Sequence, residues 1–286
     1  MIEPFFVVAL IGSGAAVLKM LLSSSSSREQ DEVWKLAARR VQGELELAPG
    51  TWLKPAKRMI SLDARGVALV LDTHEERSGN TRVEYTRVSS GVLPGGGGIR
   101  LVVSPRGLLR KLTKGLGIGE SATGDADFDA AFHVSAAPRG IAAVFLDRAM
   151  RAVVTQAETK LEIDGGTLTI LVEGHPESAE PLVAMTRFAE RIVERWVSLP
   201  HDATRVAERL GLVCEDGVDL VDKRVFARGL YRGHATSMTL VVDDDGARIL
   251  VACEGVERAF DGLGSDPEEV VAALAAAVDA RTDGYR

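Results

Sequence analysis

Aspartates clustered in two short stretches are the side chains of this chain best suited to chemistry. Carboxylate oxygens are the ligands that hard cations such as Ca²⁺ and Mg²⁺ prefer, and a metal held by them can activate water. The two groups are Asp125, Asp127 and Asp129, and Asp243, Asp244 and Asp245. They are the candidate metal ligands of this sequence.

The same aspartates also fit a structural role. A calcium-binding loop that began at Asp125 would need glycine at its sixth position and glutamate at its twelfth, where this chain has Ala130 and Ala136. Aspartate side chains commonly accept hydrogen bonds from the backbone amides of turns. The sequence therefore favours a capped turn for the first group. For the second, followed by Gly246 between two apolar runs, it favours a solvated hairpin tip.

No other motif indicates catalysis or a bound cofactor. The five histidines, at positions 74, 133, 175, 201 and 234, stand singly, and no serine lies in a G-x-S-x-G sequence. The glycine-rich stretches 93–98 and 115–119 lack the residues that would complete a phosphate loop or a dinucleotide fingerprint, so both are predicted to be loops. His133 is predicted to be a core or edge residue and not a base. The sequence favours a protein that is not an enzyme.

The first aspartate group also carries a resemblance. GDADFDAAF matches the pattern G-D-x-x-F-D-x-x-F through Gly124, Asp125, Phe128, Asp129 and Phe132. In this it resembles a bacterial family of uncharacterised proteins that join an amino-terminal transmembrane segment to a soluble domain of unknown function. The resemblance implies a bacterial, membrane-attached protein, and it supplies no activity.

Residues 4–22, PFFVVALIGSGAAVLKMLL, are predicted to cross a membrane. A bilayer-spanning helix needs about 20 mostly apolar residues, so residues 1–24 are taken as an anchor that contacts the lipid bilayer through residues 4–22. The alternatives are a buried soluble helix and a cleaved signal, although a signal would have a basic start and a small-residue cleavage site. Gly12 and Ala16 would let a second helix approach, so the anchor could also self-associate.

The charges predict an orientation. Lysines and arginines follow the anchor, so the positive-inside rule places the carboxyl-terminal region of this single-pass protein in the cytoplasm. For a bacterial protein, as the resemblance implies, the membrane is the inner membrane. Residues 28–114 carry a net charge of +6 and residues 115–286 a net charge of −13, which sets the basic part beside the anionic leaflet. The net charge of −7 and the 5% aromatic content argue against nucleic acid as a partner. Cys214 and Cys253 are predicted to be reduced core residues.

Beyond the anchor, the periodicity predicts an α+β fold of antiparallel sheets packed by helices. A serine-rich tether over 25–30 would lead to an α+β domain over 31–198 and a smaller α+β module over 199–286. Hairpins are predicted at the Asp-Gly-Gly sequence 164–166 and at the aspartates before Gly246. The predicted helices are 34–41, 141–156, 178–197, which the sequence Ser-Leu-Pro at 198–200 would end, 203–210, and a last one capped by Asp266.

One pattern occurs twice. A helix, a Lys-Arg pair, an Arg-Gly pair and an aliphatic run that ends in aspartate follow one another at 34–72 and again at 203–243, which indicates two related β-rich modules. The sequence therefore predicts a single-pass membrane protein whose cytoplasmic α+β region is a tethered binding or scaffolding module for an unidentified protein partner. The alternative is a membrane-attached, metal-dependent enzyme that uses the clustered aspartates.

Overall fold

The computed structural model describes residues 27–49, 56–78, 81–109, 120–214, 220, 225–244, 246–253, 256–261, 268 and 270–276. The anchor predicted at residues 4–22 lies outside these ranges, as do residues 25 and 26, Asp245 and the predicted helix cap Asp266. Residues 27–30, predicted to belong to the flexible tether, are instead helical and begin the first helix. Of the helices that lie inside them, none is both long enough and apolar enough to cross a bilayer.

Eight strands form the first sheet, in which every pairing is antiparallel. They are β1 (Glu44–Ala48), β2 (Lys57–Ala64), β3 (Val67–Ser78), β4 (Thr81–Val92), β5 (Arg100–Pro105), β6 (Phe132–Ala137), β7 (Lys160–Asp164) and β8 (Thr167–Glu173). Their order in space is β1-β2-β3-β4-β8-β7-β5-β6, so that β5 lies between β7 and β6.

Five strands form the second sheet, which is an antiparallel meander. They are β9 (Val213–Cys214), β10 (Val225–Tyr231), β11 (His234–Asp243), β12 (Gly246–Cys253) and β13 (Val256–Asp261). The predicted hairpin turns are confirmed in both sheets: β7 and β8 are joined by Gly165 and Gly166, and Asp243 pairs with Gly246 where β11 turns into β12.

The helices pack on the sheets and complete the predicted α+β class. They are α1 (27–41), α2 (Arg106–Leu109), α3 (Ala126–Ala131), α4 (Gly140–Phe145), α5 (Arg148–Ala157), α6 (Ala179–Arg209) and α7 (270–276). Helix α6 contacts β2, β3 and β4 of the first sheet and β9 of the second, and α4 contacts β6, β11 and β12. One apolar core therefore runs between the two sheets.

The helix predicted over 141–156 is two helices. The chain leaves the helical conformation at Leu146, and Asp147 caps α5 by accepting a hydrogen bond from the amide N–H of Met150 at 2.8 Å. The spacing of Asp147 also fits the polar face of one continuous helix, which is the interpretation behind the predicted span 141–156. The interpretation was wrong because a short carboxylate side chain stabilises a helix start better than it stabilises a helix interior.

The predicted helix end at residues 198–200 is also wrong, because α6 continues through Pro200 to Arg209. Proline costs a helix about 3 kcal/mol through its missing N–H and its steric clash. Here Leu199 and Ala203 are fully buried on either side of it, and burial of that apolar face offsets the cost. The predicted boundary between the domain 31–198 and the module 199–286 thus falls within a helix that contacts both sheets.

Two parts of the chain are built alike. The first meander is α1 with β1 to β4. The second meander is the end of α6 from residue 203 to its C-cap Leu210, with β9 to β13. The turns from β2 to β3 and from β10 to β11 are both Arg-Gly turns with positive φ at each residue: 56° and 81° at Arg65 and Gly66, and 50° and 84° at Arg232 and Gly233. The buried positions of the two helices have the same spacing: Trp34, Ala37, Ala38 and Val41, and Ala203, Val206, Ala207 and Leu210.

Candidate functional site

Asp125 and Asp129 hold the local backbone. Asp125 is the N-cap of α3 and accepts a hydrogen bond from the amide N–H of Phe128 at 3.2 Å, and Nε of Arg151 donates to its other oxygen at 3.0 Å. The Phe128 amide, and then the Arg151 guanidinium, hold the pKa of Asp125 below its ordinary value. Asp129 accepts from the amide N–H and the hydroxyl of Thr123, at 3.1 and 2.8 Å. Both carboxylates are therefore engaged within the protein.

The positions that carry the family resemblance all belong to this turn. Gly124 has a φ of +84°, which favours glycine, and it places Asp125 at the start of α3. Phe128 and Phe132 are buried, and their rings stack with centroids 4.7 Å apart. Asp127, the third aspartate of the group, is exposed in the first turn of α3. The motif thus builds a loop, a helix and the start of a strand.

The second aspartate group lies at the junction of the two sheets. Asp243 forms an ion pair with Arg248, and Asp244 accepts a hydrogen bond from the amide N–H of Arg139 at 2.9 Å, just before α4. Asp245 is outside the described residues. Within the described part of the chain, no three His, Cys, Asp or Glu side chains are grouped so that they could hold a metal ion.

A polar pocket of about 100 Å³ lies at one end of the first sheet. Among the described residues, β2 pairs with β3 as far as Asp72 and β8 pairs with β4 from Tyr85 onwards. Strands β3 and β4 continue as a pair beyond both neighbours, to Ser78 and Thr81. The pocket is at the base of this two-stranded arm, and it is lined by Ala56, Arg58, Thr73, His74, Glu75, Glu84 and His175.

The pocket lies on the core-facing side of the sheet. The side chains of cross-strand partners point to the same face of the sheet. Along one strand, every second side chain points to that face. The pairs from the core towards the pocket are Leu71 with Val88, Thr73 with Thr86, and Glu75 with Glu84. The side chains of this face therefore change from aliphatic to hydroxyl to carboxylate within a few residues.

Arg58 connects the pocket to the start of α1. Its side chain is 8% exposed, and its Nε donates to Asp31 at 2.7 Å. Its Nη2 donates to the carbonyl oxygen and to the hydroxyl of Ser27, both at 3.0 Å. A guanidinium can be buried when its donors are satisfied in this way, so these contacts fix Arg58 as one wall of the pocket.

His175 forms the opposite wall, in the loop between β8 and α6. Its Nε2 lies 2.8 Å from Oε2 of Glu84. The loop is fixed on both sides, because the hydroxyl of Thr86 donates to the carbonyl oxygen of Gly174 at 2.9 Å and Nε2 of Gln30 donates to that of Pro176 at 3.2 Å. The pocket thus offers carboxylates, an imidazole and a guanidinium on positioned elements.

No motif in the sequence indicates this pocket. The segment HEERSGN has the composition of a turn, although β3 continues into it as far as Ser78. Alternation could have found the signal, since Thr73 and Glu75 follow Leu69 and Leu71 in the core-facing phase of the strand. The contribution of His175 could not have been found in this way, because it is distant in the sequence.

Comparisons of the chain with protein-family models, with curated proteins and with solved structures found no match. The resemblance carried by the segment from Gly124 to Phe132 therefore stays a prediction.

Proposed function

We propose that the protein is a membrane-tethered binding module and that the polar pocket is its binding site. The observation that carries this proposal is the change along the core-facing side of β3 and β4, from Leu71 opposite Val88 to Glu75 opposite Glu84. A sheet that served only as a scaffold would gain stability by continuing its apolar face. Convergent polar groups around a cavity are instead typical of a ligand site.

The two meanders are, in this proposal, related modules with different tasks. Their matching helix positions and Arg-Gly turns support the relation. At the positions that match the pocket, counted from the turn, the second meander has Leu240 opposite Ile249 and Val242 opposite Ala247. The second meander would then be the structural version of the module, and the first the binding version.

The position of the pocket relative to the anchor narrows the kind of partner. Residues 4–22 are proposed as the anchor of a single-pass protein of the bacterial inner membrane, with the α+β region in the cytoplasm. Ser27, bonded to Arg58 of the pocket, is separated from Leu22 by a short segment that spans at most about 18 Å when extended. The pocket would therefore lie close to the cytoplasmic surface of the membrane.

The charge of the pocket suggests what enters it. Arg58 of the pocket is paired with Asp31, and the pocket lining also holds the carboxylates of Glu75 and Glu84, with Oε2 of Glu84 2.8 Å from Nε2 of His175. A basic group of a ligand would meet these two carboxylates. Cytoplasmic segments beside the transmembrane helices of other proteins are rich in lysine and arginine. The proposed partner is a membrane protein whose juxtamembrane segment places a lysine or arginine side chain in the pocket.

The test uses the full chain in nanodiscs of a neutral lipid, with a synthetic transmembrane peptide that carries a Lys-Arg juxtamembrane segment. We expect binding, followed by energy transfer between fluorophores on the two chains, to weaken at least tenfold when Glu75 and Glu84 are both replaced by glutamine, a loss of about 1.4 kcal/mol. Glu76→Gln is the matched control, because its side chain lies on the opposite face of β3. Equal binding by a peptide with glutamine in place of its basic residues would contradict the proposal.

The membrane anchor is tested separately. The full chain should sediment with membranes and resist extraction by salt or alkali, whereas a chain without residues 1–24 should remain in the supernatant. A full chain released by alkali would contradict the anchor without bearing on the pocket.

A further inference from the structure

Ser104 has a buried side chain whose hydroxyl makes no hydrogen bond to the described residues. The residue is 3% exposed, on β5. Buried hydroxyls are normally paired, and an unpaired one calls for an explanation such as a catalytic role. The residue paired with Ser104 on the neighbouring strand suggests such a role.

His133 of β6 is the cross-strand partner of Ser104. Side chains of directly paired residues lie on the same face of a sheet, with Cβ atoms about 4.5 to 5.5 Å apart. This is the separation from which a serine hydroxyl and an imidazole can reach each other. The His133 side chain is 18% exposed, so it is shielded on most sides and still open to solvent.

Glu120 lies beyond His133, on the same face. It forms an antiparallel bridge with Ser135, two residues along β6 from His133, and the amide N–H of Ser121 donates to the carbonyl oxygen of Val134 at 2.8 Å. Oε1 of Glu120 is 3.6 Å from Nδ1 of His133. Nδ1 of His133 thus faces the carboxylate, which leaves Nε2 as the ring nitrogen that would take a proton from the Ser104 hydroxyl.

Arg106 fixes the carboxylate. Its guanidinium forms an ion pair with Glu120, and its Nε and Nη2 donate to the carbonyl oxygen of Asp129 at 3.0 and 2.8 Å. Asp129 is held in turn by Thr123. The aspartate turn that the sequence singled out therefore supports the position of Glu120.

We propose that Ser104, His133 and Glu120 form a nucleophile, a general base and an orienting carboxylate for acyl transfer from a small activated ester. Nucleophile, base and orienting group in this order are recognised by their geometry and not by their order in the chain. Oγ of Ser104 bonds to the carbonyl carbon while its proton passes to Nε2 of His133. The alcohol then leaves with that proton. Water attacks the acyl-serine and gives one proton to His133, which returns it to Oγ as the carboxylic acid departs.

The experiment treats the full chain in detergent micelles with a fluorophosphonate, a probe that bonds to activated serines. We expect one adduct, located on Ser104 by peptide mapping, and none in Ser104→Ala. His133→Gln should slow labelling at least a hundredfold, because a positioned base contributes about 10²- to 10⁴-fold. The matched control is Ser90→Ala, which removes a buried hydroxyl that is bonded to Gly91 and Leu168 and should leave labelling unchanged.

Further variants separate catalysis from folding. Glu120→Gln should shift the pH at which labelling is half-maximal, which a loss of packing alone would not do. Ser104→Cys should fold and react with iodoacetamide at a rate that depends on His133, even if Ser104→Ala does not fold. No adduct on Ser104 in the folded protein, or equal labelling rates in the wild type and His133→Gln, would overturn the proposal. It does not depend on the binding pocket, so either can fail alone.

Discussion

The two meanders share a helix with the same spacing of buried residues and an Arg-Gly turn. They differ in the core-facing side chains at the end of the strands far from that turn. At the fifth residue after the glycine of the Arg-Gly turn, both sheets bury an apolar pair on their core-facing side, Leu71 with Val88 in the first meander and Met238 with Val251 in the second. At the next two steps the first meander has paired threonines and then paired glutamates. The second meander stays apolar as far as its hairpin tip.

Packing explains the difference. Helix α4 covers the far end of β11 and β12 so closely that a Cβ added at Gly140 would lie 2.2 Å from the carbonyl oxygen of Asp243. Within the part of the chain that the structure describes, the corresponding end of β3 and β4 extends beyond its neighbouring strands and borders an open pocket. A covered end needs apolar side chains to form a core, whereas an uncovered end can carry the groups that bind a ligand.

The largest effect is expected where the matched positions differ most. Leu240→Ala removes a fully buried side chain and should lower the free energy of unfolding by about 3 kcal/mol. Thr73→Ala, the same step from the turn in the first meander, should cost less than about 1 kcal/mol because the side chain is half-buried beside the pocket. Urea unfolding of the full chain in micelles measures both values. Equal losses would mean that the pocket end belongs to the core.

The contact that closes the second meander should be the next most sensitive. Gly140→Ala drives a Cβ into the backbone of Asp243 and Gly246 and should cost about 2 kcal/mol. Gly97→Ala is the control, because a Cβ there meets no atom within 4 Å, and it should change stability by at most about 0.5 kcal/mol. Thermal unfolding followed by circular dichroism distinguishes the two. A tolerated Gly140→Ala would show that α4 can move away from the sheet.

The turns should respond equally, which tests the likeness of the two meanders. Gly66 and Gly233 have φ values of +81° and +84°, and a Cβ at either meets no atom within 4 Å. Alanine at each position should therefore cost about 1 kcal/mol through backbone strain alone. Urea unfolding of the two variants gives the comparison. A difference larger than that cost would mean that the two turns are not equivalent.

The smallest effect is confined to alkaline pH. Burial, with the carboxylates of Glu76 and Glu173 adding to it, raises the pKa of Tyr85 above its ordinary value of 10.0. The folded chain then holds the phenolic proton more tightly than the unfolded chain does. Stability is therefore lost as the pH rises from about 10 towards the folded pKa. Tyr85→Phe should flatten this loss and have little effect at neutral pH.

The matching measurement is the free energy of unfolding of the wild type and of Tyr85→Phe from about pH 9 to about pH 11. The two curves should converge at the acidic end of that range and separate at its alkaline end. Parallel curves would show that folding does not raise the pKa of Tyr85. The phenol would then be less buried than the structure indicates.

Much of the fold followed from local signals. The Asp-Gly-Gly turn at 164–166 requires glycines that tolerate positive φ, and its prediction is confirmed. The helix at 34–41 and the start of α6 follow from apolar residues at helical spacing, all of which the structure buries. The capped turn at the first aspartate group was also predicted from residues that are close together in the chain. The amide N–H groups of Phe128 and Thr123 donate to aspartates three and six positions away in the chain.

The two incorrect helix predictions have the same cause, which is packing between parts of the chain that are distant in sequence. Pro200 is a local signal to end a helix, but burial of the apolar residues on both sides of it stabilises the continued helix by more than the proline costs. Asp147 fits both a helix surface and a helix cap, and only the path of the chain between α4 and α5 decides between them.

The sequence by itself determined the turns, the helix periodicity and the α+β class, because each depends on residues that are neighbours along the chain. Only the tertiary structure decided which polar side chains meet. Glu84 and His175 are brought together by the pairing of β4 with β8, and Ser104 lies opposite His133 because β5 lies between β7 and β6. Strand order and register are set by how the whole apolar surface is buried, and a local stretch of sequence does not contain that information.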